Sequence, residues 1–167
     1  MKVRKVVANN RRRVFEVHTA RGMLPFPYSR AEPTPTPEDR IVRVYPDPEI
    51  GNDGFTWELE SGAEGTLHLD AVLDYNEDPE FMGGIFAYKL KSIARKLMKE
   101  TDLSQREIAR RLGTSPSQVY RLLDPTADRA SLRQLVALIY ALGGKVSLGV
   151  TLDGRPIKAW NERSTVL

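Results

Sequence analysis

The 167-residue chain contains no cysteine. Disulfides and thiolate metal sites are therefore excluded. It has no apolar run of 18 residues, so no membrane-spanning helix is expected. No signal peptide is expected either, because Met1-Lys2-Val3-Arg4 leads straight into a strand-like run. No repeat of 20–50 residues is visible. A nucleophile elbow, a phosphate-binding glycine loop and zinc-ligand spacing are all missing. These absences point to a soluble, cytoplasmic chain that is not an enzyme and carries no cofactor. What remains is ample: 41% hydrophobic residues, enough for real cores, in a length that suits one medium or two small domains.

The most specific signal is Leu103–Arg121, LSQREIARRLGTSPSQVYR. Ser104 precedes a helical run with Glu107 three residues on, the spacing of a reciprocal capping box. Ile108, Ala109 and Leu112 form its apolar face. Gly113 stands where a chain reversing after a helix needs a left-handed residue. Ser115, Pro116 and Gln118 open a second helix with a cap, a first-turn proline and a second box. Val119, Leu122 and Leu123 are its buried side, and Asp124-Pro125 ends it. A third box, Ser131 with Gln134, starts LRQLVALIYAL, apolar nearly all round and expected as the central core helix. Upstream, Asp78-Pro79 opens a helix whose apolar residues fall at Met82, Phe86, Leu90, Ile93 and Leu97. Four helices are predicted, over 79–100, 104–112, 115–123 and 131–143.

Residues 103–143 resemble a Cro/repressor-type (Xre-type) helix-turn-helix, through the string L-S-Q-x-E-I-A-x-x-L-G-T-S-x-S-x-V-x-R-L and the leucine-rich helix ending A-L-G-G. The resemblance implies binding to double-stranded DNA, often as a homodimer on a palindrome. It also implies that Gln105 meets backbone phosphate and that Ser117, Gln118 and Arg121 are presented to base edges. Pro116 departs from the pattern at a position where many relatives carry a polar base-reading side chain. The ending ALGGKVSLGV is similar to the helix-then-strand ending of antitoxin-type regulators.

Charge is unevenly spread. Residues 1–85 hold 10 Lys and Arg against 15 Asp and Glu, a balance of −5; residues 86–167 hold 15 against 7, a balance of +8. A basic cluster around a helix-turn-helix fits a phosphate-binding surface. Arg121 is the first choice for a base contact, since arginine binds guanine O6 and N7 together. Ser117 and Gln118 follow, although Gln118 cannot both close its capping box and read adenine. Gln105, Arg106, Lys99, Ser115 and Tyr120 are the expected phosphate contacts. Arg11-Arg12-Arg13 is either an arm reaching DNA or, after Asn9-Asn10, a turn between strands.

Residues 1–78 read as a small antiparallel β domain of five or six strands. The runs are VRKVVA, VFEVHTA, MLPFPYS, IVRVYPD, FTWELES and TLHLDAVL, with the proline-rich loop EPTPTPED between the third and fourth. In FTWELES, Phe55, Trp57 and Leu59 alternate with Thr56, Glu58 and Glu60, the pattern of a half-buried strand. This half resembles a small uncharacterised β domain that occurs alone or joined to helix-turn-helix modules. Residues 79–145 form the predicted helix-turn-helix domain. Residues 146–167 form a predicted hairpin about Asp153-Gly154 and a tail with Trp160, a core lid or an interface anchor.

The fold class expected is α+β, and the function expected is a DNA-binding transcriptional regulator, an autorepressor or antitoxin-like protein acting as a homodimer. One alternative makes the acidic β domain a docking module for a partner protein, with DNA secondary. Another makes Glu58, Glu60, His68 and Asp70 a carboxylate–metal nuclease site.

Overall fold

The computed structural model describes residues 1–124, 126 and 130–157. The chain divides into two compact units, with the boundary between Gly84 and Ile85.

The first unit holds two three-stranded antiparallel sheets. Strands β1 (Lys5–Asn9), β2 (Val14–Thr19) and β3 (Gly22–Pro27) form one meander; β4 (Ile41–Pro46), β5 (Gly54–Leu59) and β6 (Glu64–His68) form the other. Proline at positions 25 and 27 is tolerated because β3 is an edge strand, paired only to β2. Alternation sends Phe15, Val17, Phe55, Trp57 and Leu59 inward, all nearly inaccessible. The ring of Phe15 lies 4.7 Å from Tyr28, 5.0 Å from Phe55 and 5.2 Å from Trp57, all tilted, the geometry aromatic quadrupoles favour. In the β5–β6 ladder Trp57 faces Gly65. A Cβ on Gly65 would overlap the indole, so glycine there is a packing requirement.

Two strand expectations need correction. TLHLDAVL is a strand only as far as His68; Leu69–Tyr75 is a helix, α1, burying Leu69, Val72 and Leu73. That spacing of three and four residues is helical, but His68 makes no side-chain cap, so the start carried no signal. The described residues therefore hold five α-helices, α1 in the first unit ahead of the four expected over 79–143. Nor is β5 half-buried. It is the central strand of its sheet, and Thr56 on its supposed outer face is buried, bonded to Asp47 Oδ2 at 2.8 Å and to the Thr66 hydroxyl at 2.8 Å.

Helix α2 (Pro79–Glu100) opens with the Asp78 carboxylate accepting from the Phe81 N–H at 3.0 Å. Arg21 pairs with both Asp78 and Glu80. In the second unit α2 turns Leu90, Lys91 and Ala94 inward, with Ala87, Leu97 and Met98 partly buried beside them. Of the expected face, Met82, Phe86 and Ile93 are instead exposed. Ala87 and Ala94 lie on the stripe that faces the core instead.

Helices α3 (Gln105–Leu112), α4 (Pro116–Leu123) and α5 (Leu132–Ala141) complete the unit. Ile108, Val119, Leu135 and Leu138 form its centre, each fully buried. Helix α5 is core on one side only, since Leu132 and Tyr140 are about half exposed at 54% and 53%. Strands β7 (Val150–Leu152) and β8 (Arg155–Ile157) pair around Asp153 and Gly154, with φ 50° and 72°, as a type I′ turn requires. Trp160 lies outside the described residues.

Candidate DNA-binding site

All three helices after α2 start at a serine, and each serine oxygen accepts from the backbone N–H three residues on: Glu107 for Ser104, Gln118 for Ser115, Gln134 for Ser131. Only α5 completes the reciprocal box, through Gln134 Oε1 and the Ser131 N–H at 2.9 Å. Glu107 does not return to Ser104. It accepts from Arg110 Nε at 2.9 Å, Arg110 Nη2 at 2.7 Å and Arg111 Nε at 3.1 Å. Those bonds hold its carboxyl at about 2, far below the usual carboxylate range. Two of the basic residues are thus neutralised by their own helix.

Between α3 and α4 the chain reverses through Gly113, at φ 62° and ψ 37°. The Gly113 N–H bonds to the Arg110 carbonyl at 3.2 Å, and the Thr114 N–H bonds to the Ala109 carbonyl at 2.9 Å. These bonds satisfy the end of α3 while aiming the chain into α4 within two residues. Ser115 accepts from Gln118, and Pro116 takes the first helical position, where a missing N–H costs nothing. Val119 and Leu122 anchor the helix, leaving Ser117, Gln118, Tyr120 and Arg121 exposed. Its last turn is closed by Lys91, buried, whose Nζ donates to the Asp124 carbonyl at 3.2 Å. The Thr126 hydroxyl and N–H hold the Asp124 carboxyl below its ordinary value.

The exposed residues of α4 divide among three faces. Tyr120 shares a cleft with Arg95, Gln105, Leu123 and Asp124. On the opposite side, Gln118 lines a broad groove with Thr114, Ser131, Arg133 and Gln134. Its side chain makes no hydrogen bond back to Ser115, so the conflict between capping and reading is lifted. Ser117 and Arg121, one turn apart, share the face between them. The Ser117 hydroxyl is tied to Ser115 Oγ at 2.9 Å, whereas Arg121 has no carboxylate partner among the described residues. Lys99 and Arg106 are likewise exposed and without an ion pair there. The structure thus brings Gln105 and Tyr120 into one cleft and adds two bases that the motif string passes over. Arg95 lies upstream of that string, and Arg133 follows the third cap.

The residues of the alternative metal site do not converge. Glu58 pairs with Arg43 at 3.2 Å, His68 precedes α1, and Asp70 lies in its first turn. Among the described residues no three histidine, aspartate or glutamate side chains are placed to share an ion.

This geometry is that of a helix-turn-helix, and residues 88–151 match the family model for a helix-turn-helix domain, which supports a DNA-binding protein. No curated protein and no solved structure matches the chain. Among the described residues no helix is long and apolar enough to cross a membrane.

Proposed function

We propose that the chain is a sequence-specific transcriptional regulator of the Xre type, binding double-stranded DNA through α4 in the major groove. The observation that carries this reading is the exposed Arg121, without an ion pair among the described residues, on a helix whose one side lines a cleft with Arg95 and Gln105 and whose other side lines a groove with Arg133. Arg121, Ser117 and Gln118 read bases. Gln105, Arg106, Lys99, Ser115, Tyr120, Arg95 and Arg133 position the backbone. One such helix reads only a few base pairs, so a homodimer on a two-fold site is proposed. The exposed Val150, Leu152 and Ile157 of the C-terminal ribbon support that assembly. An autorepressor or antitoxin-like role is the biological form proposed.

The test is binding to a labelled duplex from the protein's own upstream region, against random-sequence competitor, at two salt concentrations. Specific binding that survives the higher salt is expected. Loss to both competitor and salt would leave phosphate attraction alone. It would shift attention to the acidic β unit as a protein-docking module.

A further inference from the structure

The β unit carries a second candidate site, a cleft of about 240 Å³ lined by Asn10, Arg13, Tyr28, Pro35, Thr36, Pro37, Arg40 and Ile41. Its walls come from the β1–β2 turn, the residue after β3, and the proline-rich loop before β4. Each proline of that loop offers a carbonyl but no N–H. The two arginines use this: Arg13 Nη2 donates to the Pro35 carbonyl at 3.4 Å, and Arg40 Nε to the Pro37 carbonyl at 3.0 Å. Each guanidinium is held by one N–H with others left over. Neither has a carboxylate partner among the described residues. Of the acids on the same elements, Glu16 is taken by Asn9 and Arg12 and Asp39 by Ser61, while Glu32 and Glu38 are exposed on the loop and bridge neither arginine.

Arg13 is also out of place by ordinary backbone rules. Its φ is 54°, a left-handed conformation that glycine or asparagine usually fills at the end of a hairpin loop. Its carbonyl accepts from the Tyr28 N–H at 3.0 Å, so the strained residue is pinned beside the cleft floor. That floor is apolar and shielded: Tyr28 and Pro35 are buried, and the Tyr28 hydroxyl donates to Asn10 Oδ1 at 3.0 Å, leaving the Asn10 amide N–H groups unspent. Burial pushes the phenol up to about 12, so it stays neutral.

We propose that this cleft binds a small organic anion, a carboxylate or phosphate monoester with a flat apolar body. The charged head sits between Arg13 and Arg40, and the body lies on Tyr28, Pro35 and Ile41. Two fork-shaped guanidiniums suit either head group. The volume lies below the range of drug-sized sites, which limits the body to about one ring. The inference rests on the β unit alone and stands or falls separately from the DNA reading.

The test is calorimetric titration of the full-length protein with phenyl phosphate, benzoate and inorganic phosphate, each also against Arg40→Gln and the double variant Arg13→Gly/Arg40→Gln. Glycine at 13 fits the observed φ, so this change removes the charge without adding strain. At least one aromatic probe is expected to bind at about 1 mM or tighter, within reach of a ligand of that size. Arg40→Gln is expected to weaken it about tenfold, and the double variant to abolish it. The tighter of the two probes identifies the head group. No heat from either aromatic probe, or equal binding by the variants, overturns the proposal. Inorganic phosphate binding as tightly as phenyl phosphate overturns the assignment of an organic body.

Discussion

Glu107 grips Arg110 through both carboxylate oxygens, at 2.9 and 2.7 Å, one turn along the first helix of the helix-turn-helix. A second arginine, Arg111, reaches the same carboxylate at 3.1 Å and bonds the Ala141 carbonyl at 3.0 Å. The motif thus carries less free positive charge than its arginine count implies.

Glu107→Gln is therefore expected to strengthen binding to random-sequence DNA and to steepen its salt dependence. The log–log slope should grow by about 1–2, as one or two guanidiniums become available to phosphate. Equal slopes for wild type and variant, measured by anisotropy across a salt series, would show that these arginines do not face DNA. The pH dependence has a definite sign. The carboxyl is lowered from 4.5 to about 2, so its stabilising effect is complete above about pH 4.5 and is lost as pH falls through 2. A carboxyl resonance from Glu107 that titrates near 4.5 would contradict the arrangement.

Arg121→Ala is expected to cost about 1–3 kcal/mol on the cognate site and to relax preference at one position. Lys99→Ala should weaken all sequences about equally. Site selection with each variant separates the two roles; unchanged preference for Arg121→Ala would remove it from base readout.

Gly65 and Gly113 give opposite reasons for needing glycine. At Gly65 an added methyl meets Trp57, so Gly65→Ala should cost about 1–3 kcal/mol through overpacking. At Gly113 no atom lies within 4 Å of the added carbon, and only the left-handed backbone objects. Gly113→Ala should therefore cost about 1–2 kcal/mol and Gly113→Asn less, because asparagine tolerates that region. Denaturant melts check both; equal losses for alanine and asparagine at 113 would rule out backbone conformation as the cause.

The helix-turn-helix was legible because its signals are local. Each serine cap, the proline at 116 and the glycine at 113 act within four residues of where they stand. Glu107 closes no reciprocal box because arginines at the third and fourth positions beyond it offer stronger, charge-assisted partners. The start of α1 was hidden because TLHL alternates like a strand up to an uncapped start. On α2 the large side chains of Met82, Phe86 and Ile93 suggest the core face by size alone, whereas the stripe that faces the core runs through Ala87, Leu90 and Ala94. The arginine cleft could not be read at all. It joins position 10 to position 41 through loop carbonyls, which leave no trace in residue pattern.

The burial of Trp57 has a practical consequence. Its indole is fully shielded, and its Nε1 donates to the Pro33 carbonyl at 3.1 Å. The sequence has one other tryptophan, Trp160. Replacing that residue by phenylalanine would leave a single tryptophan, excited apart from the six tyrosines at the red edge and seated among Phe15 and Phe55 in the first unit. Its wavelength would then report the β unit's integrity by fluorescence, while helical ellipticity, most of it from α2 to α5, chiefly follows the other unit in the same sample.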